Sequence, residues 1–208
     1  MKSRILGKFI EDLDSFIARD PAANSRIEVF LCYPGYHAIL VYRFANALWR
    51  RNFRLLGRFV SNSGKIFTGI EIHPGATVGS RLFIDHGNGV VIGETSKIGN
   101  DVTLYQGVTL GGTSLEKGKR HPTLEDNVIV GSGAQVLGPI IVGSNARIGA
   151  NAVVLKDVPK GATMVGIPAK MVMGQENKNS DVFTAYGTPT EDLPDPIVRS
   201  FDSLRAQL

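Results

Sequence analysis

Aliphatic residues recur at every sixth position of the chain between residues 72 and 154, with two interruptions. These lead positions are Ile72, Val78, Ile84, Ile92, Ile98, Leu104, Leu110, Leu124, Val130, Val136, Val142, Ile148 and Val154. A period of six fits neither the 3.6 residues of an α-helical turn nor the alternation of a flat strand. It is typical of a β-solenoid, in which short strands meet at tight corners, three hexads close one coil and the lead residue points inward.

The remaining hexad positions support the same prediction. A glycine follows the lead residue in about half of the hexads, which predicts corners that need unusual backbone angles. The fifth position is mostly small or β-branched, as in Ala76, Val108, Val128, Ala134, Ala146, Ala152 and Val158. Two residues are inserted near Val90, and a loop at residues 114–123 divides the series into two blocks of coils.

The residues before the repeat have a helical pattern. Ile5, Phe9, Leu13 and Phe16 recur at three- and four-residue spacing, which predicts one buried helix face. A turn is expected at Asp20, because the proline that follows disfavours helix at that residue. Further helical patterns continue through residue 67. We therefore assign residues 1–68 to a helical N-terminal domain and residues 69–174 to the solenoid.

Residues 175–208 form a C-terminal tail with a third kind of pattern. Its first part is polar and predicts a flexible segment. Beyond it, Ile197, Phe201, Leu204 and Leu208 can line one side of a short helix.

Charge and hydropathy exclude two classes of partner. The 23 Lys and Arg residues barely outnumber the 19 Asp and Glu residues, and no long run of like charge occurs, so nucleic acid is not expected. The apolar stretch at residues 29–49 is interrupted by Pro34, His37, Arg43 and Asn46, so no membrane span is predicted. Acidic residues also stand where a secretory signal would be apolar.

A single cysteine, Cys32, rules out an internal disulfide and fits a reducing compartment. It lies in an apolar stretch, where a buried small side chain is expected. We therefore expect a cytoplasmic protein.

His86 is the first candidate for chemistry. It follows Asp85 in the string IDHGNG, whose small residues predict an exposed imidazole. Glu71 supplies a carboxylate less than one coil away. A carboxylate that holds one imidazole nitrogen leaves the other free as a base for an alcohol. The two residues are fifteen apart rather than the eighteen of a full coil, so the spacing leaves their contact open.

The loop that divides the repeat is the second candidate, because a loop that leaves a regular scaffold tends to carry function. Arg120 can bind a carboxylate through two parallel hydrogen bonds, and His121 follows it. The alternative is a solvated basic loop, since Lys117 and Lys119 lie beside them. His73 precedes a proline at a corner and is expected to be structural.

Several strings together resemble serine O-acetyltransferases, a family of hexapeptide acyltransferases. They are RDPA at residues 19–22, GYHAILVYR at 35–43, EIHPGATVG at 71–79, IDHGNGVVIGE at 84–94, VTLGGT at 108–113, KRHPTLEDNVIVGSGAQVLG at 119–138 and VGIPAKMV at 165–172. The resemblance runs in register from about residue 20 to residue 171. It implies a mainly β protein with N-terminal α structure: a left-handed parallel β-helix preceded by a small helical domain.

The resemblance also implies an activity, namely acetyl transfer from acetyl-CoA to the hydroxyl of L-serine, giving O-acetyl-L-serine for cysteine biosynthesis. His86 matches the general base, and Glu71 stands where the family usually has its aspartate partner. Asp20 and Asp85 match the acids that hold the amino group of serine. The resemblance assigns the serine carboxylate to Arg120 and His121.

Acetyl-CoA is the implied co-substrate, bound between subunits and largely by backbone groups. The matching positions are Gly112, Thr113, Ala134 and Ala152, with Lys156 and Lys170 as candidates for the phosphates. No metal is implied.

The family further implies a homotrimer, with L-cysteine as a feedback inhibitor that competes with serine. About 70 residues precede the repeat, fewer than in the enteric-bacterial type, so pairing of two trimers stays open. Members that bind cysteine synthase typically end in isoleucine, whereas this chain ends in Leu208. We therefore expect weak or absent binding to cysteine synthase.

Two other functions fit the residues in part. The acceptor can be a sugar or another small alcohol, as in other hexapeptide transferases. A trimeric β-helix can also hold zinc through three histidines and hydrate carbon dioxide, and His73, His86 and His121 supply that number. A purely structural solenoid would need neither the acids nor the histidines.

Overall fold

The computed structural model describes residues 2–172 and residue 205. Within residues 2–172 four helices come first: α1 (Lys2–Arg19), α2 (Arg26–Cys32), α3 (Pro34–Arg50) and α4 (Arg54–Thr68). The same residues form fifteen strands: β1 (Glu71–Ile72), β2 (Thr77–Val78), β3 (Phe83–Ile84), β4 (Val91–Ile92), β5 (Lys97–Ile98), β6 (Thr103–Leu104), β7 (Thr109–Gly111), β8 (Thr123–Leu124), β9 (Ile129–Val130), β10 (Gln135–Leu137), β11 (Ile141–Val142), β12 (Arg147–Ile148), β13 (Val153–Val154), β14 (Thr163–Val165) and β15 (Lys170–Val172). Except for Arg205, the predictions for the tail concern residues outside this description.

From β1 to β13, consecutive strands belong to successive sheets, so that three strands close one coil. The first sheet has the order β1-β4-β7-β10-β13, and the second has the order β2-β5-β8-β11. The third has the order β3-β6-β9-β12-β14-β15, in which β15 alone runs antiparallel to its neighbour. The chain therefore winds around three faces that meet at three rows of corners, which is the predicted solenoid.

The register places both interruptions between the coils. In the first sheet Glu71 pairs with Val91, Val91 with Thr109, and Thr109 with Gln135. The step from residue 71 to 91 contains the two residues inserted near Val90, and the step from 109 to 135 contains the loop. Both insertions leave the strands stacked, as the hexad pattern predicts.

The lead residues fill the interior of the coils. All of them are buried except Val78, which is partly buried in the first coil at the end of the stack. The small fifth-position residues are buried as well, from Ala76 to Val158. A larger side chain at the fifth position would compete with the lead residues for the same interior, because protein cores are close-packed.

The glycines that follow the lead residues do not have the predicted unusual backbone angles. The left-handed backbone lies two positions later, for example at Asp101 (φ 57°) and Asn145 (φ 61°). Gly99 and Gly143 follow the corresponding lead residues, and each lies against the neighbouring coil. A Cβ on Gly99 would lie 2.4 Å from the carboxylate of Asp126, and one on Gly143 would lie 2.6 Å from a backbone nitrogen. Coil-to-coil contact, rather than φ, therefore requires these glycines.

The helices pack on the first coil. The ring of Phe16 in α1 meets that of Phe83 edge to face, with centroids 4.9 Å apart. A Cβ on Gly35 would lie 2.1 Å from the carbonyl oxygen of Ile84, so α3 approaches the backbone of β3 directly. Arg19, at the end of α1, donates to the carbonyl oxygen of Arg81 (2.7 Å). These contacts fix the residues after α1 beside the first coil.

Two expectations for the helical region have different outcomes. None of the described helices is long and apolar enough to cross a membrane. Cys32 is exposed, so its predicted burial is wrong. The reason is that the short helix α2 turns only Val29 into the core.

Candidate active site

His86 lies at the corner between the third and first sheets, directly after β3. Its backbone is left-handed (φ 55°), and 65% of its side chain is exposed. Gly87, which follows, is buried; a Cβ there would lie 2.5 Å from Ile70. The corner therefore turns the glycine inward and the imidazole outward. A non-glycine residue in this conformation costs free energy and is often found at functional sites.

Asp20 and Asp85 form an acidic pair beside His86. The hydroxyl of Tyr33 donates to Asp20 Oδ2 (2.7 Å), and the peptide N–H of Ala22 donates to Asp20 Oδ1 (2.8 Å). Burial raises the pKa of Asp85; the nearby His86 opposes this rise, and the negative charge of Asp20 adds to it. Two neighbouring carboxylates of this kind favour a bound cation, such as an ammonium group.

Glu71 comes from the same region of the first coil as His86. The peptide N–H of Gly89 donates to the carbonyl oxygen of Gly69 (2.9 Å), which stacks the corner of His86 on the corner before Glu71. The Glu71 carboxylate, however, accepts a hydrogen bond from Lys65 (2.5 Å). Within the described residues it forms no hydrogen bond with His86, so the catalytic pair stays a prediction that requires Glu71 to leave Lys65.

Asp85 does not replace Glu71 as the partner of the imidazole. Asp85 Oδ1 lies 3.9 Å from His86 Nε2, which is too long for a hydrogen bond. The two side chains are close enough for charge interaction, as the pKa of Asp85 shows. Asp85 therefore faces the same space as the imidazole without orienting it.

Arg120 and His121 lie at a different corner, between the first and second sheets. Arg120 donates to Glu94 (2.5 Å), and this pairing lowers the pKa of the Glu94 carboxyl. His121 is buried, and its ring lies against Gly93, where a Cβ would be 2.0 Å from the ring. The alternative of a freely solvated basic loop therefore does not apply to Arg120 and His121, which belong to a partly buried arrangement.

The remaining histidine of the zinc hypothesis has a structural environment. The peptide N–H of Gly75 donates to His73 Nδ1 (2.9 Å), and the ring meets Trp49 edge to face. Burial, with a contribution from Arg58, lowers the pKa of His73 to about 4. Among the described residues no three His, Cys, Asp or Glu side chains are placed to hold a metal ion. Nothing in this part of the chain therefore favours the zinc hypothesis.

The positions assigned to coenzyme A differ in exposure. Gly112, Thr113, Lys156 and Lys170 are exposed, whereas Ala134 and Ala152 are fully buried.

The peptide N–H groups of Ala134 and Ala152 donate to Gly131 and Gly149 within the coil. Their methyl groups and N–H groups are therefore committed to the solenoid. Their carbonyl oxygens accept from the peptide N–H groups of Thr109 (3.0 Å) and Gln135 (2.8 Å), so neither alanine offers an exposed polar group to a ligand.

Three residues of this region escape the sequence patterns. Tyr33 holds Asp20, Glu94 pairs with Arg120, and the hydroxyl of Thr95 accepts from the peptide N–H of Arg120 (3.0 Å). No hexad position marks them, because each contact joins segments whose relative placement depends on the folded corner. Of the three residues, only Glu94 has a weak signal in the sequence: it is a carboxylate two residues after the lead residue Ile92.

The six candidate catalytic and serine-binding residues fall into two groups within one chain. Asp20, Asp85 and His86 surround the corner before the first sheet, and Arg120 and His121 occupy the corner after it. Glu71 lies on the first sheet between them. The protomer therefore does not gather these residues into one pocket.

Two protein families match the sequence. "Serine acetyltransferase, N-terminal" matches residues 1–40, and "Bacterial transferase hexapeptide (six repeats)" matches residues 121–156. A serine acetyltransferase of Bacillus subtilis (strain 168) is 53% identical over 198 residues, which cover 95% of this chain and 89% of the relative.

Solved structures of the same enzyme resemble the fold. Neisseria gonorrhoeae serine acetyltransferase in complex with serine has a TM-score of 0.79 at 41% identity, and the match covers 82% of this chain and 70% of that one. A serine acetyltransferase in complex with CoA gives a TM-score of 0.77 at 43% identity, with 81% and 70% covered. One in complex with cysteine gives 0.81 at 41% identity, with 86% and 70% covered. These likenesses confirm the predicted left-handed β-helix, and the chain belongs to the serine acetyltransferase family.

Proposed function

We propose that this protein transfers the acetyl group of acetyl-CoA to the hydroxyl of L-serine, giving O-acetyl-L-serine and CoA for cysteine biosynthesis. The observation that carries the proposal is the exposed imidazole of His86 beside the acidic pair Asp20 and Asp85. A base next to a cation-binding pair suits an amino acid that carries a hydroxyl. A sugar, the acceptor of the alternative, has no ammonium group for these acids.

His86 acts as the general base. One imidazole nitrogen takes the hydroxyl proton while the serine oxygen attacks the thioester carbonyl, and a tetrahedral intermediate forms. The carbon–sulfur bond then breaks, and the CoA sulfur takes the proton from the imidazolium. Proton transfer by a positioned group of this kind contributes about 10²- to 10⁴-fold to the rate. No step calls for a metal ion.

Glu71 orients His86 in this proposal. Its carboxylate leaves Lys65 and accepts from the second imidazole nitrogen, which fixes the tautomer and stabilises the imidazolium. The exchange costs little free energy because the Lys65 side chain is 51% exposed, and an exposed ion pair contributes little.

Both ends of serine are bound in the proposed complex. Asp20 and Asp85 hold the ammonium group, and Arg120 and His121 hold the carboxylate. The two groups lie at different corners of one chain, so we infer that a neighbouring subunit supplies the second group. A homotrimer would bring such corners together.

Acetyl-CoA is proposed to lie along the same cleft between subunits. Gly112 and Thr113, at the base of the loop, offer exposed groups near His121, since a Cβ on Gly112 would lie 3.4 Å from His121 Nε2. The exposed Lys156 and Lys170 are proposed to bind its phosphates, whereas the buried Ala134 and Ala152 support the coils beside it without contacting it.

L-Cysteine is proposed as a competitive inhibitor, because it offers the same ammonium and carboxylate groups as serine. The free, exposed thiol of Cys32 suits the reducing cytoplasm, where we place the enzyme.

A thiol-release assay tests the proposed activity. Purified protein with acetyl-CoA is given L-serine, L-homoserine or a galactoside in parallel. We expect release of CoA with L-serine at the highest kcat/KM. Faster turnover with the galactoside would reject serine as the acceptor. Zinc-dependent hydration of carbon dioxide, measured separately as proton release, would favour the hydratase.

Replacing Tyr33 with phenylalanine is expected to raise the KM for serine about tenfold, because a hydrogen bond to a charged group is lost. The KM for acetyl-CoA should stay unchanged. Steady-state kinetics with each substrate varied separately measures both values.

Tyr42→Phe is the matched control, since its buried hydroxyl donates to the carbonyl oxygen of Ala76 (2.7 Å) away from the acidic pair. The control should lower the free energy of unfolding by about 1 kcal/mol and leave the KM for serine unchanged. A Tyr33→Phe enzyme with a serine KM within twofold of the native value would show that Asp20 needs no such support.

A further inference from the structure

The hydroxyl of Thr95 is the hydrogen-bonding centre of the corner that carries Arg120 and His121. Thr95 Oγ1 accepts from the peptide N–H groups of Arg120 (3.0 Å) and His121 (3.1 Å). It also lies 2.9 Å from His121 Nδ1. A hydroxyl has one proton and two lone pairs. Since both lone pairs are occupied, the proton of this hydroxyl is directed to Nδ1.

The backbone of Thr95 fixes the same nitrogen independently. The peptide N–H of Thr95 lies 3.2 Å from His121 Nδ1, and a peptide N–H can only donate. Nδ1 is therefore the unprotonated nitrogen, and the neutral ring carries its proton on Nε2. Burial, with the positive charge of Arg120, lowers the pKa of His121, which favours this neutral form.

The edge of the ring that carries the other nitrogen lies against two glycines, whose lack of a side chain leaves room for the ring. A Cβ on Gly93 would lie 2.1 Å from His121 Nε2, and one on Gly112 would lie 3.4 Å from it. Among the described residues no hydrogen bond to Nε2 is formed. The ring thus presents one N–H donor at a position where the chain itself provides no acceptor.

We propose that Thr95 is a positioning residue for the amino-acid substrate, because it holds His121 in the tautomer whose Nε2–H donates to the substrate carboxylate. This proposal rests on the proposed function, in which His121 binds that carboxylate. The main chain of Thr95 contributes as well, since its carbonyl oxygen accepts from Lys119 (2.9 Å) and so ties down the end of the loop. One residue of the second coil therefore organises three consecutive residues that come from the inserted loop.

The kinetic test uses Thr95→Val, which keeps the shape of the side chain and removes the hydroxyl. We expect the KM for serine to rise about tenfold, with the KM for acetyl-CoA within twofold of the native value. Thr95→Ser restores the hydroxyl and should restore the serine KM. Thr77→Val, on the outer face of the second sheet, is the matched control and should leave both KM values unchanged. A serine KM within twofold of native in Thr95→Val would overturn the proposal.

A spectroscopic test needs no turnover. In the ¹⁵N spectrum of the imidazole groups, assigned with His121→Gln, the native protein should show His121 Nδ1 unprotonated and Nε2 protonated at neutral pH. A protonated Nδ1 in the native protein would overturn the proposal, even if Thr95→Val failed to fold. Failure of the native enzyme to acetylate serine would instead reject the proposed function, and the spectrum would still decide the tautomer.

Discussion

Replacing His86 with alanine is expected to lower kcat at least a hundredfold, because the reaction loses its general base and proton transfer of this kind contributes about 10²- to 10⁴-fold. The fold should persist, since most of the imidazole is in solvent and the core beneath it is formed by Ile70, Ile84 and Gly87. Steady-state kinetics with saturating serine and acetyl-CoA measures the loss, and circular dichroism with thermal unfolding monitors the fold.

Two further variants separate the loss of the base from strain at the corner. His86→Asn removes the base but keeps a residue type that tolerates a left-handed backbone. It should be as inactive as His86→Ala. Asn127→Ala changes an exposed residue with a left-handed backbone (φ 60°) on another corner, and it should keep the native kcat. Turnover of His86→Asn within a few fold of native would remove His86 from the mechanism.

The solenoid could be predicted from the sequence because its information is local and repeated. Each lead residue, such as Ile92 or Val136, faces the same interior, so the period of six survives in the chain. The reason for the glycines could not be predicted. Gly99 is required by a carboxylate from the next coil, and that neighbour is set by the length of the inserted loop, which the period does not encode.

The candidate site was predictable only as a set of residue types. His86 and Asp85 share one corner because they are consecutive, and the fixed end of α1 brings Asp20 to them. The partition of the set between two corners depends on which face each segment of the coil occupies. It follows from the sheet order, in which the inserted loop joins β7 of the first sheet to β8 of the second.

The hydrogen-bond partners that orient the side chains of the candidate site could not be predicted from the sequence. The Lys65–Glu71 ion pair joins a helix to the first strand, and the Tyr33–Asp20 hydrogen bond joins the residue between α2 and α3 to the residue after α1. Neither contact has a periodic signal. The family resemblance predicted the roles of Glu71 and Asp20. Their hydrogen-bond partners, Lys65 and Tyr33, are seen only in the folded structure.

Removal of the Arg120 guanidinium is expected to weaken the binding of serine and the binding of cysteine by a similar factor. Arg120→Ala should raise the KM for serine and the inhibition constant for cysteine by a similar factor, on the order of a hundredfold, because truncating one partner of a charge pair costs about 2–5 kcal/mol. Part of that cost comes from Glu94, which the guanidinium now neutralises. Without Arg120 the Glu94 carboxylate faces the substrate carboxylate, and the two like charges repel.

A double variant isolates the repulsion. Arg120→Ala with Glu94→Gln should recover part of the serine affinity, because the repelling charge is gone while the lost hydrogen bonds are not restored. Arg120→Lys keeps the charge without the planar fork and should fall between the native enzyme and Arg120→Ala. Initial rates with serine varied at several cysteine concentrations give both constants. A change in the constant of one amino acid alone would show that serine and cysteine do not share this corner, and unchanged constants for both would remove Arg120 from the binding of the carboxylate.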